Sequence, residues 1–295
     1  MLRQSMTDRA ISTLLSGGSF FEGPRWHEGS WWVSDFYRQR VIRVETDGTE
    51  THVVTVDAQP SGLGWLPDGS LVISSMTDRK VLRFIDGELS VLADIADMCG
   101  GWVNDLVVDS VGHVYVGNFG FDFMNGGTPS TANLVCVKLD GTAFVAATDL
   151  MFPNGSVILP DEVTLLVGES MGARYTAFTI EPDGSLTNRR VWAEFAKSPG
   201  PDAVAPDGCT LDADGHLWTA DARGGRVVRI SPAGKIVDEI TMPSGLGVFA
   251  CALGGLDGKT LLLCCSPDSS PKKRSAANEA VLLTVQVKAA HAGRP

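Results

Sequence analysis

The stretch Gly64-Trp65-Leu66-Pro67-Asp68-Gly69-Ser70-Leu71-Val72-Ile73-Ser74-Ser75, followed by Lys80-Val81-Leu82-Arg83-Phe84, is the second copy of a repeated unit. The first copy reads Pro24-Arg25-Trp26-His27-Glu28-Gly29-Ser30-Trp31-Trp32-Val33-Ser34-Asp35 and continues as Arg40-Val41-Ile42-Arg43-Val44. Each copy runs apolar strand, acidic-glycine turn, apolar strand, polar loop and third strand. Apolar and polar positions alternating across such a turn mark an antiparallel hairpin. Copies beginning at Val107, Val157, Thr210 and Leu253 keep the turn, and the turn residues Gly29, Gly69, Gly112, Glu162, Gly215 and Gly258 step by 40, 43, 50, 53 and 43. A period of about 40 to 50 residues marks propellers and solenoids. No segment reads as a crossover helix, so six units of three or four antiparallel strands predict an all-β, six-bladed β-propeller, whose closure removes exposed sheet edges. Ile11-Ser12-Thr13-Leu14-Leu15 precedes the first unit and Ala280 to Val287 ends the last. The N-terminal strand is therefore expected to complete the C-terminal blade. One domain over 1–295 follows, with blades beginning near residues 22, 61, 104, 154, 207 and 249. Pro271-Lys272-Lys273-Arg274 reads as a solvated loop.

The 295 residues are 44% apolar and 20% charged, which excludes disordered and coiled-coil classes. The 24 Lys and Arg against 35 Asp and Glu give a net charge of -11. Such a surface repels nucleic acid and anionic lipid, so neither is expected as a partner. No apolar run approaches the roughly 18 residues that cross a bilayer, and the first residues lack a signal-peptide core. A cytoplasmic protein is the expectation, with the six cysteines (Cys99, Cys136, Cys209, Cys251, Cys264, Cys265) reduced and buried.

In a propeller the innermost strand of every blade faces a common axis. Aligned on the turns, the residues at the start of those strands are Glu22, Ser61, Asn104, Asn154, Asp207 and Phe249. A Glu, two Asn and an Asp converging in an otherwise apolar repeat are costly to bury unpartnered. Strand caps and Asx turns would satisfy them one at a time; a divalent cation would satisfy them together. Hard oxygen donors with two carboxylates suit Ca²⁺, Mg²⁺ or Mn²⁺ better than a thiolate-type Zn²⁺ site. His27, His113 and His216 fall at hairpin turns on the opposite face and read as structural, and Cys209 reads as a packed thiol. Elbow, zincin and Walker motifs are absent from the sequence.

Phe21-Glu22-Gly23-Pro24, Val103-Asn104-Asp105, Pro153-Asn154-Gly155 and Pro206-Asp207-Gly208 together resemble the regucalcin and gluconolactonase family, whose wider relatives include diisopropylfluorophosphatase. The resemblance covers nearly the whole chain. It implies a six-bladed propeller, a catalytic divalent cation (Ca²⁺ first, then Mg²⁺, Mn²⁺ or Zn²⁺) held by Glu22, Asn154 and Asp207, with Asn104 beside metal or substrate, and hydrolysis of lactones or related esters. One departure stands out. Members acting on sugar acids carry an Arg two residues before the Asn-Asp pair, where this chain has Trp102. With Phe119, Phe121, Phe123 and Met151, it suggests a pocket for substrates less polar than aldonolactones.

The expected activity is a metal-dependent lactonase or esterase on a small-molecule substrate, with Asp207 as general base, Asp105 as the alternative base, and Asn104 orienting the substrate. A phosphotriester hydrolase and a non-catalytic protein-binding propeller are the competing readings.

Overall fold

Gly29, Gly69, Gly112, Gly215 and Gly258 carry φ between 71° and 95°. This is the left-handed conformation that a tight hairpin turn demands, and Glu162 adopts it at 63° in the fourth unit. On either side of these turns the chain forms strands. The computed structural model describes residues 9–293, and in it the strands assemble into six four-stranded antiparallel sheets.

From the axis outward, blade 1 comprises Phe21–His27, Ser30–Asp35, Arg40–Val44 and Glu50–Thr55, and blade 2 comprises Pro60–Trp65, Leu71–Ser75, Lys80–Ile85 and Glu88–Asp94. Blade 3 runs Val103–Val108, Val114–Asn118, Ala132–Val137 and Ala143–Leu150; blade 4 runs Pro153–Ile158, Thr164–Glu169, Arg174–Ile180 and Leu186–Glu194. Blade 5 is Pro206–Leu211, Leu217–Asp221, Arg226–Ile230 and Ile236–Thr241. Blade 6 takes Gly247–Gly254, Thr260–Ser266 and Ala280–Gln286 from the C-terminal end and Ile11–Gly18 from the N-terminal end. Ile11 pairs with Val285 and Gly18 with Ala280, so the ring closes as the terminal segments predicted. Inner strands of all six successive blades pack on one another, blade 6 on blade 1 included.

The core lies between blades. Trp31, Val33 and Ile42 of blade 1 pack against Ala250, Leu262 and Leu282 of blade 6, while Trp218 and Val227 of blade 5 pack on the other face of blade 6, against Cys251, Leu261 and Cys265. The adjacent pair Cys264 and Cys265 divides between these two clusters, as alternation along a strand requires. All six cysteines are free and buried. Burial pushes the Cys265 and Cys209 thiols up to about 12.

The 271–274 segment departs from expectation. It is a short helix, Pro271–Arg274, with proline at its first turn, and only its lysines face solvent. Arg274 is buried and ion-paired to Glu279 at 2.7 Å and Asp268 at 3.4 Å. No helix among the described residues is long and apolar enough to cross a membrane.

Candidate metal centre and active site

Every inner strand breaks its register at the same point. The shift falls between Glu22 and Arg25, Pro60 and Leu63, Val103 and Leu106, Pro153 and Ser156, Pro206 and Cys209, and Val248 and Ala250. A bulge of this kind re-aims a side chain out of the pleat. The residues at the six bulges, Glu22, Ser61, Asn104, Asn154, Asp207 and Phe249, all line one cavity of about 250 Å³. Inner strands approach closely here. A Cβ on Gly155 would lie 2.2 Å from the Asp207 carbonyl oxygen, so the glycine after the channel residue lets neighbouring backbones meet.

Glu22 and Asp207 bring two carboxylates from different blades to the lining of this cavity. Burial raises the Glu22 carboxyl well above its ordinary range, with repulsion from Asp207 and Asp105 adding to it. Asp207 is pushed up to about 8, first by burial and then by Asp105, against the lowering pull of the Gly208 N–H and the Asn154 side chain. The Gly208 N–H donates to Asp207 Oδ1 at 3.1 Å and the Gly23 N–H to Glu22 Oε2 at 3.2 Å. Asn154 Nδ2 donates to Ser170 Oγ at 3.2 Å. Asn104 Nδ2 donates to the Pro153 carbonyl at 3.1 Å, and its buried Oδ1 has no partner. Two uncompensated carboxylates beside an unsatisfied amide oxygen form a donor set that fits a hard divalent cation.

Asp105, next along the strand from Asn104, points elsewhere. Its Oδ1 accepts from Arg25 Nη2 at 3.0 Å and from the Leu106 N–H at 2.9 Å, both side chains are buried, and Asp105 does not line the cavity. The carboxylate proposed as the alternative base is thus committed to an internal ion pair.

Most of the remaining cavity lining is apolar. Phe20, Phe36, Met76, Phe119, Phe121, Phe152 and Phe249 form one buried cluster, with Phe119 stacked on Phe152 at 4.6 Å and Phe20 tilted on Phe249 at 4.8 Å between centroids. Phe119, Phe123 and Met124 from the Phe-rich loop reach the cavity. Trp102, Phe121 and Met151 do not line it, which corrects the expectation that they would. Phe121 packs edge-on to Phe123 at 5.9 Å and Phe152 at 6.4 Å in the same cluster, and Trp102 packs half-buried against the cluster while its carbonyl accepts from the Phe119 N–H at 2.9 Å. Phe119 therefore takes the mouth position in blade 3. Met151 spends its N–H on Glu169 Oε2 at 2.8 Å, and the next residue, Phe152 at φ 64°, turns inward.

A second repeat-phase pattern escaped the sequence reading. Asp35, Glu169 and Asp221 end the second strands of their blades, and each pairs with an Arg five residues on: Arg40 at 3.0 Å, Arg174 at 2.7 Å and Arg226 at 3.3 Å. The residue after each of these acids turns toward the mouth, and its N–H donates to the carbonyl just before the inner strand: Phe36 to Phe20, Ser170 to Phe152 and Ala222 to Ala205. Met76 to Gln59 and Phe119 to Trp102 repeat the bond. The acid, four residues and Arg spacing was visible in the chain.

On the far face, His27 stacks on Trp65 at 3.8 Å and His113 Nδ1 meets Asp109 Oδ2 at 2.7 Å. Asp212, Asp214 and His216 lie close enough together for ligation. Arg229 already neutralises that group, donating to Asp212 at 2.7 Å and Asp214 at 3.0 Å, while Asp212 Oδ1 accepts the Asp214 and His216 N–H groups as a turn cap.

Residues 20–266 match the model of the SMP-30/gluconolactonase/LRE-like region. The chain belongs to this SMP-30/gluconolactonase/LRE-like family. Pentonolactonase XacC of Haloferax volcanii is 29% identical over 241 residues, covering 80% of this chain and 78% of that one. The 6-deoxy-6-sulfogluconolactonase of Pseudomonas putida is 34% identical over 152 residues, 52% of this chain and 48% of its own. Among solved structures, the gluconolactonase XC5397 from Xanthomonas campestris superposes with a TM-score of 0.75 at 24% identity, covering 96% of this chain and 91% of that one, and shares the propeller fold of the family.

Proposed function

We propose that this protein hydrolyses lactones in the cavity lined by Glu22, Asn104, Asn154 and Asp207, with one divalent cation held by Glu22, Asn154 and Asp207. The observation that carries the reading is that Glu22 and Asp207 line one cavity and are both raised by burial and by neighbouring carboxylates, an arrangement that a +2 ion compensates. Oxygen donors favour Ca²⁺, then Mg²⁺ or Mn²⁺, with Zn²⁺ last. Bound there, the ion would act as a Lewis acid on the ester carbonyl. Two relatives that bear lactonase names support ring opening as the reaction.

The chain's own residues supply the remaining steps. Asp207 lines the cavity, held by the Gly208 N–H and the Asn154 side chain, and is the carboxylate that would take the proton of an attacking water. The same proton is returned to the alkoxide as the ring opens. Asn104 offers its unpaired Oδ1 to a substrate hydroxyl or to the cation. The Phe and Met collar favours a ring less polar than an aldonolactone, since each hydroxyl buried there without a partner costs about 1–3 kcal/mol.

The test is hydrolysis of sugar lactones, aliphatic γ- and δ-lactones, aryl esters and a phosphotriester by chelated and Ca²⁺-restored protein. Turnover that vanishes on chelation, returns with Ca²⁺ and favours an aliphatic lactone is the expected result. Full activity after chelation overturns the mechanism; a phosphotriester preference overturns the substrate.

A further inference from the structure

We infer that the substrate carries an anionic substituent, and that Arg223 at the cavity rim is the residue that selects for it. The inference rests on the lactonase reading above and adds to it a charge that neither the apolar collar nor the cation site supplies.

Arg223 is exposed and lines both the cation-site cavity and an adjoining cavity of about 560 Å³. The two also share Ser170, Met171 and Ala205, so the second adjoins a ring seated in the first. The backbone beneath Arg223 is fixed. Its N–H donates to Asp221 Oδ1 at 3.4 Å, the Ala222 N–H to the Ala205 carbonyl at 3.1 Å, and the Gly224 N–H to the Asp221 carbonyl at 3.0 Å. Arg223 also holds the same place in its blade as Tyr37 and Met171, two further cavity residues.

The charges around it have unequal duties. Arg226 is committed to Asp221 at 3.3 Å, to Glu239 at 2.7 Å and to the carbonyls of Pro201 and Ala203 at 2.9 Å each. Arg226, Asp221 and Glu239 thus hold the cavity wall together. Lys197 and Arg223 add two positive charges to that lining, which then carries three cationic groups against two carboxylates. With a divalent ion offsetting Glu22 and Asp207, the rim is positive on a chain whose net charge is -11. A local reversal of sign beside a ligand cavity draws an anion, and a guanidinium matches the two oxygens of a carboxylate or phosphonate.

The experiment uses the full chain loaded with Ca²⁺ and γ-lactones bearing a carboxyalkyl, a phosphonoalkyl or a neutral carboxamidoalkyl chain of equal length. The expected wild-type kcat/KM is higher for the anionic lactones, and Arg223→Gln lowers the anion-to-amide ratio about five- to tenfold, through KM. Arg223→Lys retains part of the ratio, and raising the salt concentration lowers it in the wild type. A wild-type ratio at or below one, an unchanged ratio in Arg223→Gln, or a larger loss in Lys197→Gln overturns the assignment. The carboxyalkyl and phosphonoalkyl arms separate the two kinds of anion. Binding of the matching carboxyalkyl and carboxamidoalkyl lactams, which do not turn over, is measured by calorimetry on the same variants. Should no lactone be hydrolysed, the lactonase reading falls, and an anion-to-amide affinity ratio that is lost in Arg223→Gln still supports the anion subsite, whereas equal affinities overturn it.

Discussion

Glu22 and Asp207, the two carboxylates of the proposed site, are both raised by burial. A carboxyl whose pKa is higher in the folded than in the unfolded chain keeps a proton that the unfolded chain has released. For Asp207, pushed up to about 8, the metal-free fold therefore loses stability as pH rises from about 4 toward 8, and Glu22 acts in the same direction. Thermal melts of chelated protein should show Tm falling from pH 5.5 to 8.5, while Ca²⁺-saturated protein gains an increment that grows with pH, because the cation replaces the protons. A chelated profile flat across that range removes the electrostatic argument. Asp207→Asn halves the carboxylate charge of the proposed donor set and removes the proton acceptor, so both turnover and Ca²⁺ binding should fall by about two orders of magnitude or more. Calorimetry on the variant separates the two losses: unchanged Ca²⁺ affinity would remove Asp207 from the ligand set. These positions were legible in the chain because the repeat places them at one phase. Trp102 and Met151 were misplaced because proximity in sequence to Asn104 and Asn154 does not fix which side of the bulge a side chain takes, and the N–H of Met151 is spent on Glu169.

At the scale of the strand, the bulge in each inner strand aims the channel residues, and in four of the six (Gly23, Gly62, Gly155 and Gly208) a glycine follows at which backbones approach closely. Gly155→Ala would place a methyl 2.2 Å from the Asp207 carbonyl oxygen, a backbone atom that does not yield without moving Asp207 itself. Overpacking of this kind costs about 1–3 kcal/mol, and here the displacement should also lower turnover, whereas Gly200→Ala, which meets nothing within 4 Å, should leave Tm within about a degree. Equal behaviour of the two variants in thermal melts and assays would show that the close approach is dispensable. The hairpins themselves could be read directly, since Asp-Gly turns and alternation are local. The mouth loops could not be read the same way. Phe36, Met76, Phe119, Ser170 and Ala222 share a phase and a hydrogen bond but no common chemistry, so only the acid and Arg spacing beneath some of them left a mark in the sequence. Alternation accounts equally for Cys264 and Cys265, which face different blade interfaces and cannot bridge. Thiol titration should find six reactive groups after denaturation and almost none before, given their burial; four or fewer after denaturation would show disulfides.

Closure is a property of the whole ring, and one strand supplies it. Ile11–Gly18 is the outermost strand of blade 6, joined to Ala280–Gln286 by six residue pairs, with Ile11, Leu14 and Leu15 packed half-buried on the neighbouring clusters. The other five blades are each formed by consecutive strands, so only blade 6 ties the two ends of the described chain. Without that strand, Ala280–Gln286 becomes an unpaired edge bearing buried Leu283 and Val285, an invitation to pair with another chain. Three half-buried aliphatic side chains contribute roughly 1 kcal/mol each, and the lost ladder about 1 kcal/mol net in total, so about 4 kcal/mol is at stake. For a chain of this size that corresponds to a Tm decrease of about 10 °C. A variant lacking residues 1–18 should therefore melt about 10 °C lower and form higher-mass species in light scattering at concentrations where the full chain does not. The cavity should suffer with it, because Phe20 and Glu22 follow directly on the deleted strand and Phe20 rests on Phe249 of blade 6. A truncated protein of unchanged association state that melts within about 2 °C of the full chain would mean that inner-strand packing around the axis, and not the shared blade, holds the ring shut.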